Sequence, residues 1–346
     1  MGHGSLIDVG IVSINSYGGI GLANLVDAHP QMRLAAVAGH SSAGKTLRQL
    51  FPAWGGADLP VLEDLPPLDL VFSALPHGAA ARTLAPLARA GARVVDLSAD
   101  FRLRDAETYR HWYGHAHPAP DLLPRAVYGL TETARDRIAA ATLVAVPGCY
   151  PTATGLGLAP LLAAGLLEPG GNIIVDAKSG VSGAGRTLKT ESLFGEANES
   201  VSAYGLDGHR HLPEIAQTAA TLSPDGATPP ITFVPHLVPM TRGILATMYA
   251  RPTEGLSATG LRALYRDYYR RGLCVRVSDT PPSTKWTART NLCVVHPTVD
   301  ERTGLLVIVS CIDNLVKGAA GQAVQDANLM LGLPEETGLP LRADWP

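Results

Sequence analysis

The sequence predicts an α/β fold in two parts, a first domain on a parallel sheet and a second, α+β domain on a mainly antiparallel one. Three observations carry the prediction. Up to residue 148, short apolar runs alternate with helix-like segments, the signature of strand–helix crossover units. From Asn172 onward the apolar segments lengthen and alternate with few helices between them, as in antiparallel strands packed on one face. The length of 346 residues fits two domains at roughly 100–200 residues each. No flexible linker is visible, so the boundary is placed by pattern near Cys149.

Taken in order, Ile7-Asp8-Val9-Gly10-Ile11-Val12 predicts the first strand. A Ser/Gly-rich turn follows, then a helix through Leu22, Leu25 and Val26 and a second strand over 33–38. Further buried strands are expected at 68–74, 93–97 and 141–146. In the second part, strands are expected at 172–177, 231–237, 243–250 and 305–312. The last periodic stretch, 319–331, carries Ala323, Ala327 and Met330 on one side and predicts a helix. A strand, a Gly-rich turn and a helix in that order is how a Rossmann dinucleotide fold opens.

Composition narrows the function. With 28 Lys plus Arg against 31 Asp plus Glu and a net charge of -3, the chain is a poor match for nucleic acid or an anionic membrane. Cys149, Cys274, Cys293 and Cys311 are widely spaced, with no C-x-x-C pair and no His/Cys cluster at metal spacing, so reduced thiols and no metal are expected. Apolar stretches fall short of the ~20 residues of a membrane span. The first residues, Met1-Gly2-His3-Gly4-Ser5, lack the cationic region and apolar core of a signal peptide, and both facts give a cytoplasmic expectation. The 36 Gly and 27 Pro are scattered at element boundaries, as in a turn-rich globular chain.

Two glycine motifs compete for a phosphate. Gly39-His40-Ser41-Ser42-Ala43-Gly44-Lys45-Thr46 matches G-x-x-x-x-G-K-[ST] letter for letter, the pattern of a nucleotide-hydrolysing P-loop. Such a loop needs a second strand ending in a magnesium-holding Asp, for which Val94-Val95-Asp96 is the candidate. The rival is the first turn, Ser13-Ile14-Asn15-Ser16-Tyr17-Gly18-Gly19-Ile20-Gly21, where a Rossmann domain binds pyrophosphate. Ser13 and Ser16 are small, and Gly18-Gly19 opens a helix whose free N–H groups attract an anion. In that reading residues 39–42 lie beside the adenosine ribose, and they lack the Asp or Glu that holds a 2′-hydroxyl in an NAD enzyme. His40, Ser41 and Ser42 offer donors instead, which favours NADP.

Cys149 follows an apolar strand and Pro147-Gly148, and Pro151 fits a first helical position. A thiol at a helix N-terminus gains thiolate character, the reactive form toward an acyl carbon. The other three cysteines sit in strand-like runs and are expected to be inert core residues. An acid/base partner is offered by Gly208-His209-Arg210-His211-Leu212-Pro213-Glu214, at another helix start. A two-residue spacing puts His209 and His211 on opposite faces of an extended segment, so they are not expected to share one job. His3, His29, His115 and His117 are expected to be surface or cap residues. His236 and Arg242 flank a loop that could face the same cleft, and Arg102, after the 93–97 strand, could hold a substrate anion.

With these residues in hand, the chain resembles the N-acetyl-gamma-glutamyl-phosphate reductase family, relatives of aspartate-semialdehyde dehydrogenase, over nearly its whole length. The pieces that carry the resemblance are Leu75-Pro76-His77-Gly78, Asp96-Leu97-Ser98-Ala99-Asp100-Phe101-Arg102, Pro147-Gly148-Cys149-Tyr150-Pro151-Thr152, Ser179-Gly180-Val181-Ser182-Gly183-Ala184-Gly185-Arg186, His209-Arg210-His211 and Asp313-Asn314-Leu315-Val316-Lys317-Gly318-Ala319-Ala320-Gly321.

The apolar second domain predicts a sheet-mediated homo-oligomer, a homodimer or homotetramer, and the resemblance implies that Cys149 attacks a small-molecule acyl phosphate and NADPH reduces the thioester. His211 would be the acid/base residue, with His209 as the fallback. It also implies substrate contacts at Ser98, Arg102, Ser182, Arg186, Glu214 and Arg242. Cofactor contacts would come from Asn15, Ser16, Tyr17, Gly18, Gly19, Gly39, His40, Ser41, Ser42 and Pro76, with Asn314 near the nicotinamide. The helix after Asn314 would return to the first domain, giving 1–148 plus 318–346 and a catalytic domain of 149–317.

Two departures stand out. The family's first turn reads Gly-Ala-Ser-Gly-Tyr, then Thr or Ala, then Gly, so Ser13 and Ser16 replace two glycines. The family's Ser-Arg pair after the second strand is Gly39-His40 here, which removes a permanent charge that would grip a 2′-phosphate. The family also commonly carries Ala-Gly-Lys at 43–45, which makes the P-loop match a decoy. Relatives acting on carrier-linked aminoadipyl or glutamyl phosphates resemble Asn-Ala-Thr after the nucleophile, whereas Tyr150-Pro151-Thr152 points to the N-acetylglutamyl substrate. A non-catalytic NADP sensor on this fold would be expected to lose the thiol or its base, and both are present.

Overall fold

The computed structural model describes residues 6–253 and 255–344. His3 lies outside them. The chain divides into two compact units, Met1–Pro147 with Ala319–Leu339, and Gly148–Gly318 with Pro340–Pro346.

The first unit is an all-parallel seven-stranded sheet. Its strands are β1 (Ile7–Val12), β2 (Met32–Ala38), β3 (Val61–Leu62), β4 (Leu70–Ser73), β5 (Arg93–Asp96), β6 (Val127–Tyr128) and β7 (Leu143–Ala145), in the order β3-β2-β1-β4-β5-β7-β6. The helices are α1 (Tyr17–Asp27), α2 (Leu47–Leu50), α3 (Ala80–Arg89), α4 (Ala106–Tyr113) and α5 (Thr131–Ala139). Strand order reverses between β1 and β4, and the crevice outside the carboxyl ends of such neighbouring strands is where an open α/β sheet takes its ligand. Both sheet faces are covered. Val9, Ile11, Leu22, Val26 and Phe72 share one core, and Val71, Ala80, Leu84, Val94 and Leu143 share the other. Continuous apolar strands follow from that two-sided burial.

The second unit opens with α6 (Cys149–Ala163) and continues with a seven-stranded sheet, β8 (Ile173–Gly180), β9 (Ser202–Ala203), β10 (Ile231–Val238), β11 (Ile244–Ala250), β12 (Val275–Val277), β13 (Cys293–Asp300) and β14 (Leu305–Ile312). Helices α7 (Phe194–Ala197), α8 (Leu212–Leu222) and α9 (Ala258–Tyr268) complete it. The order is β12-β13-β14-β11-β8-β10-β9, antiparallel except for the β8–β10 and β12–β13 pairs. The parallel β8–β10 pair requires a crossover, and the connection that includes α8 supplies it.

Helix α6 is apolar on all sides because it is buried on all sides, with Tyr150 through Leu162 inaccessible. Tyr265 donates its hydroxyl to Gly157 O at 2.6 Å, and Tyr269 donates to Leu156 O. A Cβ on Gly157 would come within 2.3 Å of Met248 Cε, so the glycine leaves room for the Met248 side chain of β11 against this helix.

The chain then returns to the first unit as α10 (Gly321–Met330). Ala323, Ala327 and Met330 enter the core as the periodicity requires. The opposite side is buried too. Gln322 Nε2 donates to Gly129 O at 2.9 Å, Gln325 Nε2 donates to Glu132 Oε1 at 3.1 Å, and Asn328 Oδ1 lies 3.1 Å from His29 Nε2. His29 is therefore a buried anchor rather than a surface residue. Polar groups withdrawn from water keep partners in this way.

Candidate active site

In the first unit the crevice is built from strand ends. Ser16 is the N-cap of α1; its Oγ accepts from Gly19 N at 2.9 Å and donates to Ser13 O at 2.9 Å. Gly19 is obligatory, since a Cβ there would stand 2.3 Å from Ser13 O. Gly18 is close to the ends of the neighbouring strands, where a Cβ would lie 3.2 Å from Leu97 and 3.3 Å from Ala74. The amides of Tyr17 and Gly18 precede the first intrahelical hydrogen bond and so have no helical acceptor. That geometry fits a pyrophosphate. Ser13, in place of the family's first glycine, has φ 65, the left-handed conformation that glycine adopts without strain.

Beside it, residues 39–46 are not arranged as a P-loop. Their amides are spent internally: Gly39 N on Leu62 O, Ser42 N on Gly39 O, Gly44 N on Val61 O and Lys45 N on Ser42 O. Thr46 closes a capping box with Gln49 on the single-turn helix α2. Asp96, the proposed magnesium ligand, is fully buried, accepts from Ser98 N and Ser98 Oγ, and has its carboxyl pushed up to about 6 by burial. The decoy reading of this motif stands on these bonds.

Around the ribose position, Ser41 Oγ accepts from Asn15 Nδ2 at 3.0 Å, and His40 is exposed beside Glu63 at 3.6 Å. Glu63, the residue just past the neighbouring strand β3, was not anticipated from the sequence, which offered no acid at the end of β2 itself. Pro76 is exposed just past β4. Ser98 and Arg102 are buried at the end of β5. Arg102 donates to Val146 O at 2.8 Å and Leu97 O at 2.7 Å, so backbone carbonyls hold its guanidinium in place at the end of β5. His117 is likewise buried, bonded to Asp100 O.

In the second unit, Cys149 is itself the first residue of α6, partly accessible, with Gly148 as N-cap. Pro151 falls third rather than first, still within the turn whose N–H groups have no helical partner. Gly148 has no side chain to cap the helix. Its amide donates instead to Glu214 Oε2 at 3.0 Å, from the first turn of α8, and Glu214 is inaccessible. The other three thiols are buried; Cys311 is pushed up to about 12 by burial, and Cys274 lies in the turn before β12 rather than in a strand.

The histidine pair overturns the spacing argument. The segment turns instead of extending: His211 N donates to His209 Nδ1 at 3.1 Å, and the two rings stand 4.8 Å apart, centroid to centroid. Both pack against Tyr150, the residue after the thiol, at 5.9 and 5.8 Å. Phe233 and Tyr204 complete an aromatic enclosure around His209. The Tyr204 hydroxyl donates to the Tyr150 hydroxyl, which donates to His236 O. Burial, aided by the Arg210 charge, pushes His209 down to about 4. Tyr204 and Phe233 had no sequence signal, since each is one aromatic in an otherwise ordinary segment.

The third side of this site is the loop after β14. A Cβ on Gly318 would come within 2.8 Å of Cys149 Cβ, so the loop lies directly on the thiol residue. Asp313, inaccessible, accepts from Arg289 N, Leu315 N and Val316 N and sits 3.3 Å from Arg242 Nη1. Asn314 accepts from Gly243 N at 2.8 Å and donates to Ser182 Oγ at 2.9 Å. Cys149, His209, His211, Glu214, Ser182, Arg242 and Asn314 are thus joined through contacts within one unit. Arg186 lies further along the exposed stretch after Ser182, and His236 pairs with Asp176 at 3.2 Å. Among the described residues no cluster of three or more His, Cys, Asp or Glu is placed to hold a metal, and no helix is long and apolar enough to cross a membrane.

Known proteins share this architecture. Residues 8–141 match the family profile "Semialdehyde dehydrogenase, NAD binding domain", and 149–314 match "Semialdehyde dehydrogenase, dimerisation domain". An N-acetyl-gamma-glutamyl-phosphate reductase of Dehalococcoides mccartyi is 48% identical over 338 residues, covering 97% of this chain and 98% of that protein. The protein of the same name from Geotalea daltonii is 49% identical over 343 residues, covering 96% and 98%. Among solved structures, aspartate semialdehyde dehydrogenase II of Vibrio cholerae superposes with TM-score 0.72 at 16% identity, over 95% of this chain and 99% of that one. The Candida albicans aspartate semialdehyde dehydrogenase, solved with NADP, gives TM-score 0.69 at 16% identity over 94% and 99%. At that identity these two structures speak for the fold alone.

Proposed function

The chain belongs to the semialdehyde dehydrogenase family, and from its likeness to the N-acetyl-gamma-glutamyl-phosphate reductases we propose that it reduces N-acetyl-L-glutamyl 5-phosphate to the 5-semialdehyde and phosphate with NADPH, in arginine biosynthesis. The observation that carries the chemistry is Cys149 at the start of α6, beside a histidine pair packed on Tyr150.

Cys149 attacks the acyl carbon, the carbon–oxygen bond to phosphate breaks, and phosphate leaves with the electron pair. The product is a thioester, a better hydride acceptor than a carboxylate. Ser16–Gly19 and the 39–42 loop would hold NADPH, which would supply the hydride. The carbon–sulfur bond then breaks to release the aldehyde, and the thiolate returns to its starting state. His211 takes the proton of the thiol as the thioester forms and returns it to the sulfur that leaves when the aldehyde is released. His209 is the poorer candidate, because its Nδ1 is occupied by His211 N–H and its ring is held neutral. Glu214 fixes the turn at Gly148, and Arg242, braced by Asp313, and Arg186 supply charge for the substrate's anionic groups.

The second sheet presents half-buried Asp176, Lys178, Tyr249 and Val307 with exposed Ile174 on one face, a surface suited to pairing with another copy in a cytoplasmic homo-oligomer. The test of the activity is the reverse reaction: N-acetylglutamate semialdehyde, phosphate and NADP should give phosphate-dependent NADPH absorbance. Absence of signal, with turnover of a carrier-linked aminoadipyl or glutamyl semialdehyde instead, would reassign the substrate.

A further inference from the structure

The ribose end of the nucleotide crevice is built differently from what an NADP-selective loop needs. Residues 39–42, directly after β2, hold no guanidinium and no ammonium; the one basic side chain among them is His40, and Lys45 follows only beyond Gly44. Its other polar groups are engaged: Ser42 Oγ donates to Gly39 O, and Ser41 Oγ accepts from Asn15. Beside it runs the edge strand β3, parallel to β2 with Leu62 opposite Ala38. The next residue, Glu63, therefore stands level with Gly39, and the Gly39 amide bonds back to Leu62 O at 2.9 Å. The Glu63 carboxylate lies 3.6 Å from the His40 ring, and both side chains are open to solvent, at 75% and 66% exposure.

In a Rossmann unit, an acid beyond the second strand accepts hydrogen bonds from the ribose 2′-hydroxyl, whereas a guanidinium there accommodates a 2′-phosphate. Here the acid arrives from the strand alongside, and the guanidinium is missing. A carboxylate a few ångströms from a 2′-phosphate repels it, and an imidazole does not supply the permanent forked charge of a guanidinium.

We propose that Glu63 is a nucleotide-selectivity residue: paired with His40, it weakens the hold on the 2′-phosphate and makes this chain accept NAD(H) as well as NADP(H). The inference rests on the reading of this crevice as the dinucleotide site. It separates this chain from relatives with an Arg at position 40, and it places the determinant just past β3, where a search along the β2 loop misses it.

Binding of NADP and NAD, which differ only in the 2′-phosphate, is measured by isothermal titration calorimetry on the full chain without substrate. Glu63→Gln is expected to tighten NADP by roughly three- to tenfold while leaving NAD unchanged or weaker, the scale of one solvent-screened charge. His40→Arg is expected to move selectivity the same way by about tenfold or more. Raising the salt should shrink the gap between the parent chain and Glu63→Gln. If both nucleotides bind and Glu63→Gln leaves their ratio where it was, the selectivity role is overturned and the dinucleotide site survives. If neither nucleotide binds the parent chain, the crevice reading itself fails and takes this inference with it.

Discussion

The Gly148 amide donates to Glu214 Oε2 at 3.0 Å, so the residue before the thiol is held by a carboxylate 66 positions further along the chain. Glu214 follows the histidine pair by three residues, in the first turn of α8. One hydrogen bond therefore ties the start of the helix that carries Cys149 to the start of the helix that follows the histidine pair. Glu214→Ala would leave a buried N–H without that acceptor, at about 1–3 kcal/mol. It should also lower kcat by about 10²-fold, because the reacting groups lose their fixed separation. Glu214→Gln keeps an acceptor oxygen and should recover most of both losses. Wild-type melting and turnover in the Ala variant would remove Glu214 from this role.

Substitution of the two histidines should separate their work. His211→Asn is expected to lower kcat by roughly 10²-fold or more, the scale of a lost acid/base group. His209→Asn keeps a side-chain oxygen to accept from the His211 amide and should cost less. The reverse ranking would move the acid/base role to His209.

Acid stability follows from the same ring. His209 takes its proton at about 4 in the folded chain, against 6.5 in an ordinary histidine. As pH falls below 6.5 the unfolded chain binds that proton and the folded chain does not, so stability is complete above 6.5 and drains toward 4. His29 and His117, also lowered by burial, act in the same direction. Asp96 opposes them: its carboxyl is raised to about 6, so its contribution is full below 3.8 and lost as pH rises through 6. His209→Gln should flatten the fall of the melting midpoint between 6.5 and 4. An unchanged slope would mean that His209 is not held neutral.

Ser13 occupies a left-handed conformation at φ 65. That costs a non-glycine residue about 1–2 kcal/mol, part of which Gly would give back through the entropy of the unfolded chain. Ser13→Gly should therefore stabilise the chain by about 0.5–1 kcal/mol in chemical denaturation. A destabilised variant would show that the Ser13 side chain contributes more than its strain costs.

Much of the scaffold was legible because burial writes itself into the pattern. The strands expected at 7–12 and 305–312 are β1 and β14, and the 319–331 helix is α10 preceded by a π-type turn over Val316–Ala320. What pattern could not supply was contact between distant segments. The buried polar side of α10 reads as a solvent face until Gly129 and Glu132 are brought against it. The opposite-face argument for His209 and His211 assumed extended backbone, and a local turn bonded through His209 Nδ1 defeats it. The backbone carbonyls at Leu97 and Val146 that position Arg102 are contacts between segments that no spacing in the sequence announces. Glu63 meets His40, and Tyr204 meets His209, across segments distant in sequence, which no spacing rule reaches.

The central claim is that Cys149 carries the acyl group. Its most direct test is intact-protein mass spectrometry after mixing the chain with N-acetylglutamyl phosphate in the absence of nucleotide. The account predicts one acyl adduct, mapped to Cys149, absent from Cys149→Ser and discharged as aldehyde when NADPH is added. An active enzyme that never shows the adduct, or a Cys149→Ser variant that still turns over, would contradict it.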